Sequence, residues 1–422
     1  MKTQTGNTAI PILTMIGAVI LFFGVGFFVM QNRNGPSKNT NQSIVAGVVP
    51  PLYVAKRDGV FYTSYDEGRK EYSAPKLFAD VQSVFRINTT KDSVFLYAKD
   101  QIERRAHNGT LEAMWDRKSS PSYRSLSADE TKQGLDSYEQ VQVAIYDDGK
   151  IYVAANKSLI ILDEQLKEVG YLSPLSRDGV YQYKAIDDIM VIDNTAFLVD
   201  DIASPLFVFS VDISDAARPT LIHSFGVGGV YGTITNQWFD DASGEWCIQR
   251  STSSGYSGDQ YLVICFAPSL YLTKGETSSG GYLGDAIPGM RSVEVGTNNN
   301  GSEIQKGKGF AILRDLNHLG DFMLVEERNT NKDYIVGLND QYKIEAKTSL
   351  GENLERRKII LYRYGGHVFL YGLDTLNIFS DDGKNLTGRA SQKIDEVDIP
   401  NTDGSLGVHK EPAWLWFAAD PR

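Results

Sequence analysis

The sequence predicts an all-β fold, a seven-bladed β-propeller with six or eight blades as alternatives, behind one transmembrane helix near the amino end. Three observations carry this reading. An apolar motif recurs at about 46 residues, polar turns flank it, and an uncharged run spans Ala9 to Met30. The composition agrees. With 23% charged and 42% apolar residues, and 22 Tyr, 19 Phe and 5 Trp, the chain is neither disordered nor short of core material. A formal charge of −11 excludes the basic footprint of non-specific nucleic-acid binding.

Residues 1–8 form a short tail. The run at residues 9–30, AIPILTMIGAVILFFGVGFFVM, has no charge between Lys2 and Arg33. As a helix at about 1.5 Å per residue it would reach roughly 33 Å, enough to cross a hydrocarbon core of about 30 Å. A cleaved signal peptide would need a small-x-small site, which Val29-Met30-Gln31-Asn32-Arg33 does not offer. A core helix would show a polar face. The run therefore reads as an uncleaved anchor. Lys2 before it nearly balances Arg33 and Lys38 after it, and the short basic tail favours a translocated carboxyl side, outside the cytoplasm. Residues 31–50, beginning QNRNGPSKNTN, read as a flexible linker, and residues 51–422 as the propeller.

Within that region the motif appears as FLYAKD from Phe95, IYVAAN from Ile151, FLVDD from Phe197 and WCIQRS from Trp246. It returns as FMLVEE from Phe322, FLYGLD from Phe369 and LWFAAD from Leu415. The intervals are 56, 46, 49, 76, 47 and 46 residues, and each copy suits a strand buried on both faces. Turns such as Asp147-Asp148-Gly149-Lys150 and Tyr364-Gly365-Gly366-His367 precede it, and a third apolar run follows, as in SLIILDE from Ser158. Gly, Asn and Asp fit tight hairpins because those turns need positive φ. Four antiparallel strands per unit at this period point to a propeller. Six units are complete between Gln82 and Ser391. The last copy, Ala413 to Asp420, leaves no room for further strands in the two residues after it, so Pro51–Ala55 and Gly59–Tyr65 are expected to complete its blade from the amino side.

The fourth unit contains Phe207-Val208-Phe209-Ser210-Val211-Asp212-Ile213-Ser214-Asp215-Ala216-Ala217-Arg218-Pro219. This stretch resembles the LVIVD-type propeller repeat, an apolar run followed by D-x-S-D-x-x-x-P, over residues 191–226. The resemblance implies a surface or secreted propeller with no common catalytic set. Asp212 and Ser214 are expected to accept backbone N–H bonds in the turn, with Pro219 fixing φ at the next strand.

Cys247 and Cys265 are the only cysteines, on the second and third strands of the fifth unit. Their index sum centres on Tyr256 in the intervening loop, so they fall side by side. A disulfide or two buried thiols both fit. The 76-residue interval holds a long insertion from Glu276 to Lys308. With Ser251 to Asp259 it forms two Gly/Ser/Tyr-rich loops expected on one rim. Tyr256, Asp259, Tyr282 and Asp285 are the candidate binding residues there, and a tolerated insertion is the competing reading.

Known chemical motifs are absent. The histidines His107, His223, His318, His367 and His409 fall in different units without ligand spacing. GSEIQKGKG from Gly301 has five residues rather than four between its glycines, and GVGGVYG at Gly226 lacks its third glycine. No catalytic residue, cofactor or metal is expected. An irregular calcium site in Asp398–Gly404 is the one exception entertained, against a solvated loop. The expectation is a binding or scaffold module for a protein or envelope polymer, with membrane contact through residues 9–30. The alternatives are a propeller enzyme, lactonase or quinoprotein-like oxidoreductase, and a structural subunit of an envelope complex.

Overall fold

The computed structural model describes residues 47–124, 141–155, 158–172, 186, 188–200, 206–227, 233–240, 245–252, 260–266, 291–294, 308–313, 321–327, 332–339, 344–350, 359–372, 374–382, 386–400 and 408–422. The run at residues 9–30 lies outside them. Among the described residues no helix is long and apolar enough to cross a membrane.

The described residues form seven four-stranded sheets, antiparallel throughout, and two small hairpins. The first sheet joins the chain ends: Trp416–Ala419, Leu52–Lys56, Gly59–Thr63 and Lys76–Ala79. The others follow in sequence order. The second holds Val84–Thr89, Val94–Ala98, Gln101–Arg105 and Leu111–Asp116; the third, Val141–Asp147, Lys150–Ala155, Ser158–Asp163 and Glu168–Leu172. The fourth runs from Asp188–Ile192 through Thr195–Asp200 and Leu206–Asp212 to Thr220–Val227. The fifth has Thr233–Asp240, Glu245–Thr252, Gln260–Phe266 and Arg291–Glu294. Lys308–Leu313, Asp321–Glu327, Lys332–Leu338 and Ile344–Ser349 make the sixth; Ile359–Tyr364, His367–Gly372, Thr375–Asp381 and Leu386–Lys393 the seventh.

The expected turns carry the expected backbone: Asp148, Gly149, Asp193, Gly365 and Gly366 all have positive φ. The second strands Val94–Ala98 and His367–Gly372 are buried along their whole length. Alternation explains why these runs are apolar at every position. Val94, Leu96 and Ala98 enter the core shared with the first and seventh sheets, whereas Phe95 and Tyr97 enter the core shared with the third. Ile151, Val153 and Ala155 face back toward the second sheet, Tyr152 and Ala154 forward to the fourth. Each core thus lies between the faces of consecutive sheets.

First strands are also neighbours. That of the first sheet adjoins that of the second, and the third through seventh follow one another in the same way. Arg86 Nη1 donates to Ala144 O (3.1 Å) between second and third, and Ala419 N donates to Tyr362 OH (3.1 Å) between first and seventh.

Three details depart from the expected organisation. Val49 and Pro50 are buried, and Tyr72 OH donates to Pro50 O at 2.8 Å, so the packed chain begins inside the expected linker. The first sheet carries an extra hairpin, Tyr65–Asp66 with Glu71–Tyr72, between its last two strands. It bonds the seventh sheet through Tyr72 N to Gln392 Oε1 (2.7 Å) and Gln392 Nε2 to Tyr72 O (3.2 Å). Asp398–Pro400, the start of the stretch considered as a solvated or calcium-binding loop, belong to a second hairpin, Glu396–Pro400 paired with Val408–Pro412, and residues 401–404 lie outside the described residues. Asp398 there opposes Lys410.

Candidate functional site

Tyr256, Asp259, Tyr282 and Asp285 lie outside the described residues. The cysteines do not: Cys247 and Cys265 are direct partners in register, and Cys247 is buried and disulfide-bonded. In the LVIVD-like turn, Asp212 Oδ1 accepts from Ser214 N (2.9 Å) and Asp215 Oδ1 from Ala217 N (3.0 Å). Asp215 therefore takes the acceptor part expected of Ser214, which contributes its N–H instead. Gly170 of the third sheet sits against this turn so closely that a Cβ would overlap Ala216 O.

Two polar groups are assembled that spacing along the chain did not reveal. The first lies where the chain ends meet. Tyr53 and Tyr62 are directly opposed, with ring centroids 5.1 Å apart. Asp420 follows the closing strand, and its carboxylate is 2% exposed. Tyr62 OH donates to Asp420 Oδ2 (3.2 Å), and Arg422 Nε donates to Oδ1 (2.9 Å). His107 comes from the turn after Gln101–Arg105. Gly109 lets that turn approach the first sheet, since a Cβ there would stand 2.9 Å from Phe78 O. His107 Nε2 lies 3.0 Å from Thr90 O, a pure acceptor, so Nε2 carries the proton. Nδ1 then accepts from Tyr53 OH at 2.7 Å, and Asp420 Oδ1 is 3.7 Å away.

Burial pushes the Asp420 carboxyl up, but the hydrogen bonds and charge of Arg422 outweigh it and hold it below the usual range. Tyr53 is raised, first by burial and then by the Asp420 charge. Both imidazole nitrogens and the carboxylate are engaged within the protein. This group is a lock on the joined ends rather than a reaction centre.

The second group lies between the second and third sheets. Arg86 and Asn88 alternate on the inner strand Val84–Thr89, and Tyr97 is directly opposite Arg86. All three share one face and are buried: Arg86 is 6% exposed, Asn88 4% and Tyr97 0%. Arg86 gives one hydrogen bond, to Ala144 O, and its Nε has no partner. Asn88 Oδ1 also lacks one, while the Asn88 amide is the hydrogen-bonding neighbour of the Tyr97 hydroxyl. Burial lowers the Arg86 guanidinium from its ordinary value, while the Tyr97 and Asp188 charges oppose that shift. Desolvation raises Tyr97. Unsatisfied buried groups are rare enough in folded proteins that each calls for an explanation. A polar i, i+2 pair interleaved with Phe85 and Ile87 was the available signal.

No family model and no curated protein matches the chain by sequence. Solved structures do match by shape. The periplasmic gluconolactonase PpgL of Pseudomonas aeruginosa aligns with TM-score 0.50 at 11% identity, covering 82% of this chain and 96% of that one. A Bacteroides uniformis protein, provisionally assigned as a 6-phosphogluconolactonase, aligns with TM-score 0.50 at 8% identity, over 87% and 98%. Hsv2 of Kluyveromyces lactis reaches 0.47 at 8% identity, over 82% and 96%. The likeness to the first two shows an all-β, propeller-like fold spanning nearly their whole length.

Proposed function

We propose that the chain is a seven-bladed propeller enzyme that hydrolyses lactones of sugar acids, held outside the cytoplasm by the run at residues 9–30. The blade count is supported by the seven sheets and by contact between consecutive first strands, with Ala419–Tyr362 returning the series to its start. The disulfide-bonded state of Cys247 supports an oxidising compartment.

The observation that carries the reading is the shape likeness to the gluconolactonase PpgL over 96% of that chain. One fold hosts many chemistries, so the gluconolactonases contribute only a reaction class by analogy. Lactone hydrolysis adds water to the ring carbonyl, passes through an oxyanion and opens to a hydroxy acid.

The test is proton release in a pH-stat by the full chain in detergent, with δ-gluconolactone and its 6-phosphate. Turnover above spontaneous opening is the expected result. A wild-type rate equal to the background overturns the reading. The second reading, a binding module for a protein or envelope polymer, is favoured by Leu77, Leu111 and Met114 exposed on outer strands of the first two sheets. Crosslinking in native membranes would then return a constant partner. Surface biotinylation of intact cells tests the placement, and labelling only after lysis would reverse it.

A further inference from the structure

The hairpin of Tyr65–Asp66 with Glu71–Tyr72 is fastened to the seventh sheet at two points. One is the neutral pair between Tyr72 and Gln392. The other is ionic and centres on Arg389 of the outer strand Leu386–Lys393. Arg389 Nη2 donates to Glu67 Oε1 (2.6 Å), at the hairpin tip, and to Gly47 O (2.5 Å), two residues before the buried Val49. Arg389 Nη1 donates to His367 Nε2 at 3.1 Å. His367 is 1% exposed, and its Nδ1 lies 3.0 Å from Gly365 O. A carbonyl only accepts, so Nδ1 carries the proton and Nε2 offers the lone pair that receives Arg389. This arrangement requires an uncharged ring. A second proton would take that lone pair and set an imidazolium against a guanidinium at hydrogen-bond distance.

We propose that His367 and Arg389 form a proton-operated latch, closed at neutral pH, that holds the hairpin tip and the chain at Gly47 against the seventh sheet and opens in mild acid. The groups around the ring divide. Burial, and then the Arg389 charge, oppose its protonation, whereas Gly365 O, Glu67 on the hairpin and Asp381 on the third strand favour it. Asp381 is paired with Arg363 of the first strand, and Glu67 is committed to Arg389. Tyr364 and Ser380 oppose His367 in register. The balance leaves the imidazole below its ordinary value of 6.5. The closed latch therefore contributes stability that is present above that value and is lost as pH falls through the folded one. Glu67, whose carboxyl the Arg389 hydrogen bond holds below its ordinary 4.5, stays charged over that range, so the histidine and not the acid opens the latch. The latch needs neither lactone turnover nor a partner.

The experiment is hydrogen exchange of the full chain in detergent at about pH 7.5 and about pH 5, compared as protection factors so that the intrinsic pH dependence of exchange cancels. A hairpin this short is marginal unless packed, so release should expose the Lys70 and Tyr72 amides, which donate to Asp66 O and Gln392 Oε1. An open latch with a ring of ordinary pKa is favoured at pH 5 by at most about 30-fold, and a loss of protection of about 5- to 30-fold is expected there. Lys150–Ala155 should keep its protection. His367→Gln puts an acceptor that takes no proton near the Nε2 position and is expected to stay protected at both pH values. Should it fail to fold, Arg389→Met is expected to show at neutral pH the exchange that the wild type shows only in acid. Wild-type protection unchanged by acid overturns the proposal, including the case in which Glu67 turns to the new imidazolium and holds the tip. So does an equal acid loss in His367→Gln, or Arg389→Met as well protected as the wild type at neutral pH.

Discussion

Phe417 is the residue through which closure can be weighed. It is fully buried in the last strand, opposite Val54, and four rings surround it: Tyr362 at 5.6 Å, Trp414 at 6.1 Å, Phe369 at 6.2 Å and Tyr371 at 6.4 Å. Phe417→Ala removes a whole aromatic side chain from a packed site, which costs about 3–5 kcal/mol. The ring pairs push the cost to the upper part of that range. With roughly 370 residues unfolding at about 2.1 cal/mol/K each, ΔS is near 0.8 kcal/mol/K, so Tm falls by about 5 °C. A stability loss alone would not single out closure. Hydrogen exchange adds the needed specificity, because Leu52–Lys56 pairs with Trp416–Ala419 on one side. Those amides should lose protection in the variant more than the amides of Lys150–Ala155, a second strand elsewhere in the molecule. Phe197→Ala, equally buried in the fourth sheet, supplies the control: a similar Tm drop without exposing Leu52–Lys56. A Tm change under about 1 °C for Phe417→Ala, or unchanged exchange in Leu52–Lys56, would refute the reasoning.

Asp420→Asn tests the lock by pH. The folded carboxyl lies below its ordinary value, so its contribution is present above the unfolded value near 3.9 and is lost as pH falls through the folded one. Chemical denaturation should show the variant about 1.5–3 kcal/mol less stable at pH 7, with the gap closing toward pH 2. Reduction should lower wild-type stability by about 3 kcal/mol, the entropy of closing a loop of roughly 18 residues between Cys247 and Cys265, and leave Cys247→Ser unaffected. A non-reducing peptide map should return that one crosslink. Gly170→Ala should cost at least about 2 kcal/mol, because the new methyl meets backbone at Ala216 O rather than a yielding side chain. An unchanged urea midpoint would remove the tight contact between the third and fourth sheets.

Periodicity alone made much of the architecture legible. Runs such as Phe95–Tyr97 and Phe369–Tyr371 are apolar at every position because both faces of a second strand meet another sheet, and that requirement is written locally. Gly149 and Gly366 were likewise readable, since positive φ leaves a narrow choice of residues. The hairpin at Tyr65–Tyr72 and the one at Glu396–Pro412 were not. They are short, polar and held partly by contacts such as Tyr72–Gln392, whose partners are 320 residues apart. The candidate groups escaped for the same reason. His107 looked like any turn histidine, and its bond to Tyr53 spans 54 residues. Arg86 is a polar residue within a strand, and local sequence does not separate a solvated arginine there from a buried one.

The sequence by itself determined the repeat, the class of fold and the joining of the two ends, because each follows from patterns of burial and turn chemistry within a few residues. Only the tertiary structure decided which polar side chains meet. Whether Arg86 is hydrated or desolvated, and whether Asp420 is neutralised, depends on neighbouring strands brought within a few ångströms, and one chain's local pattern carries no record of those distances.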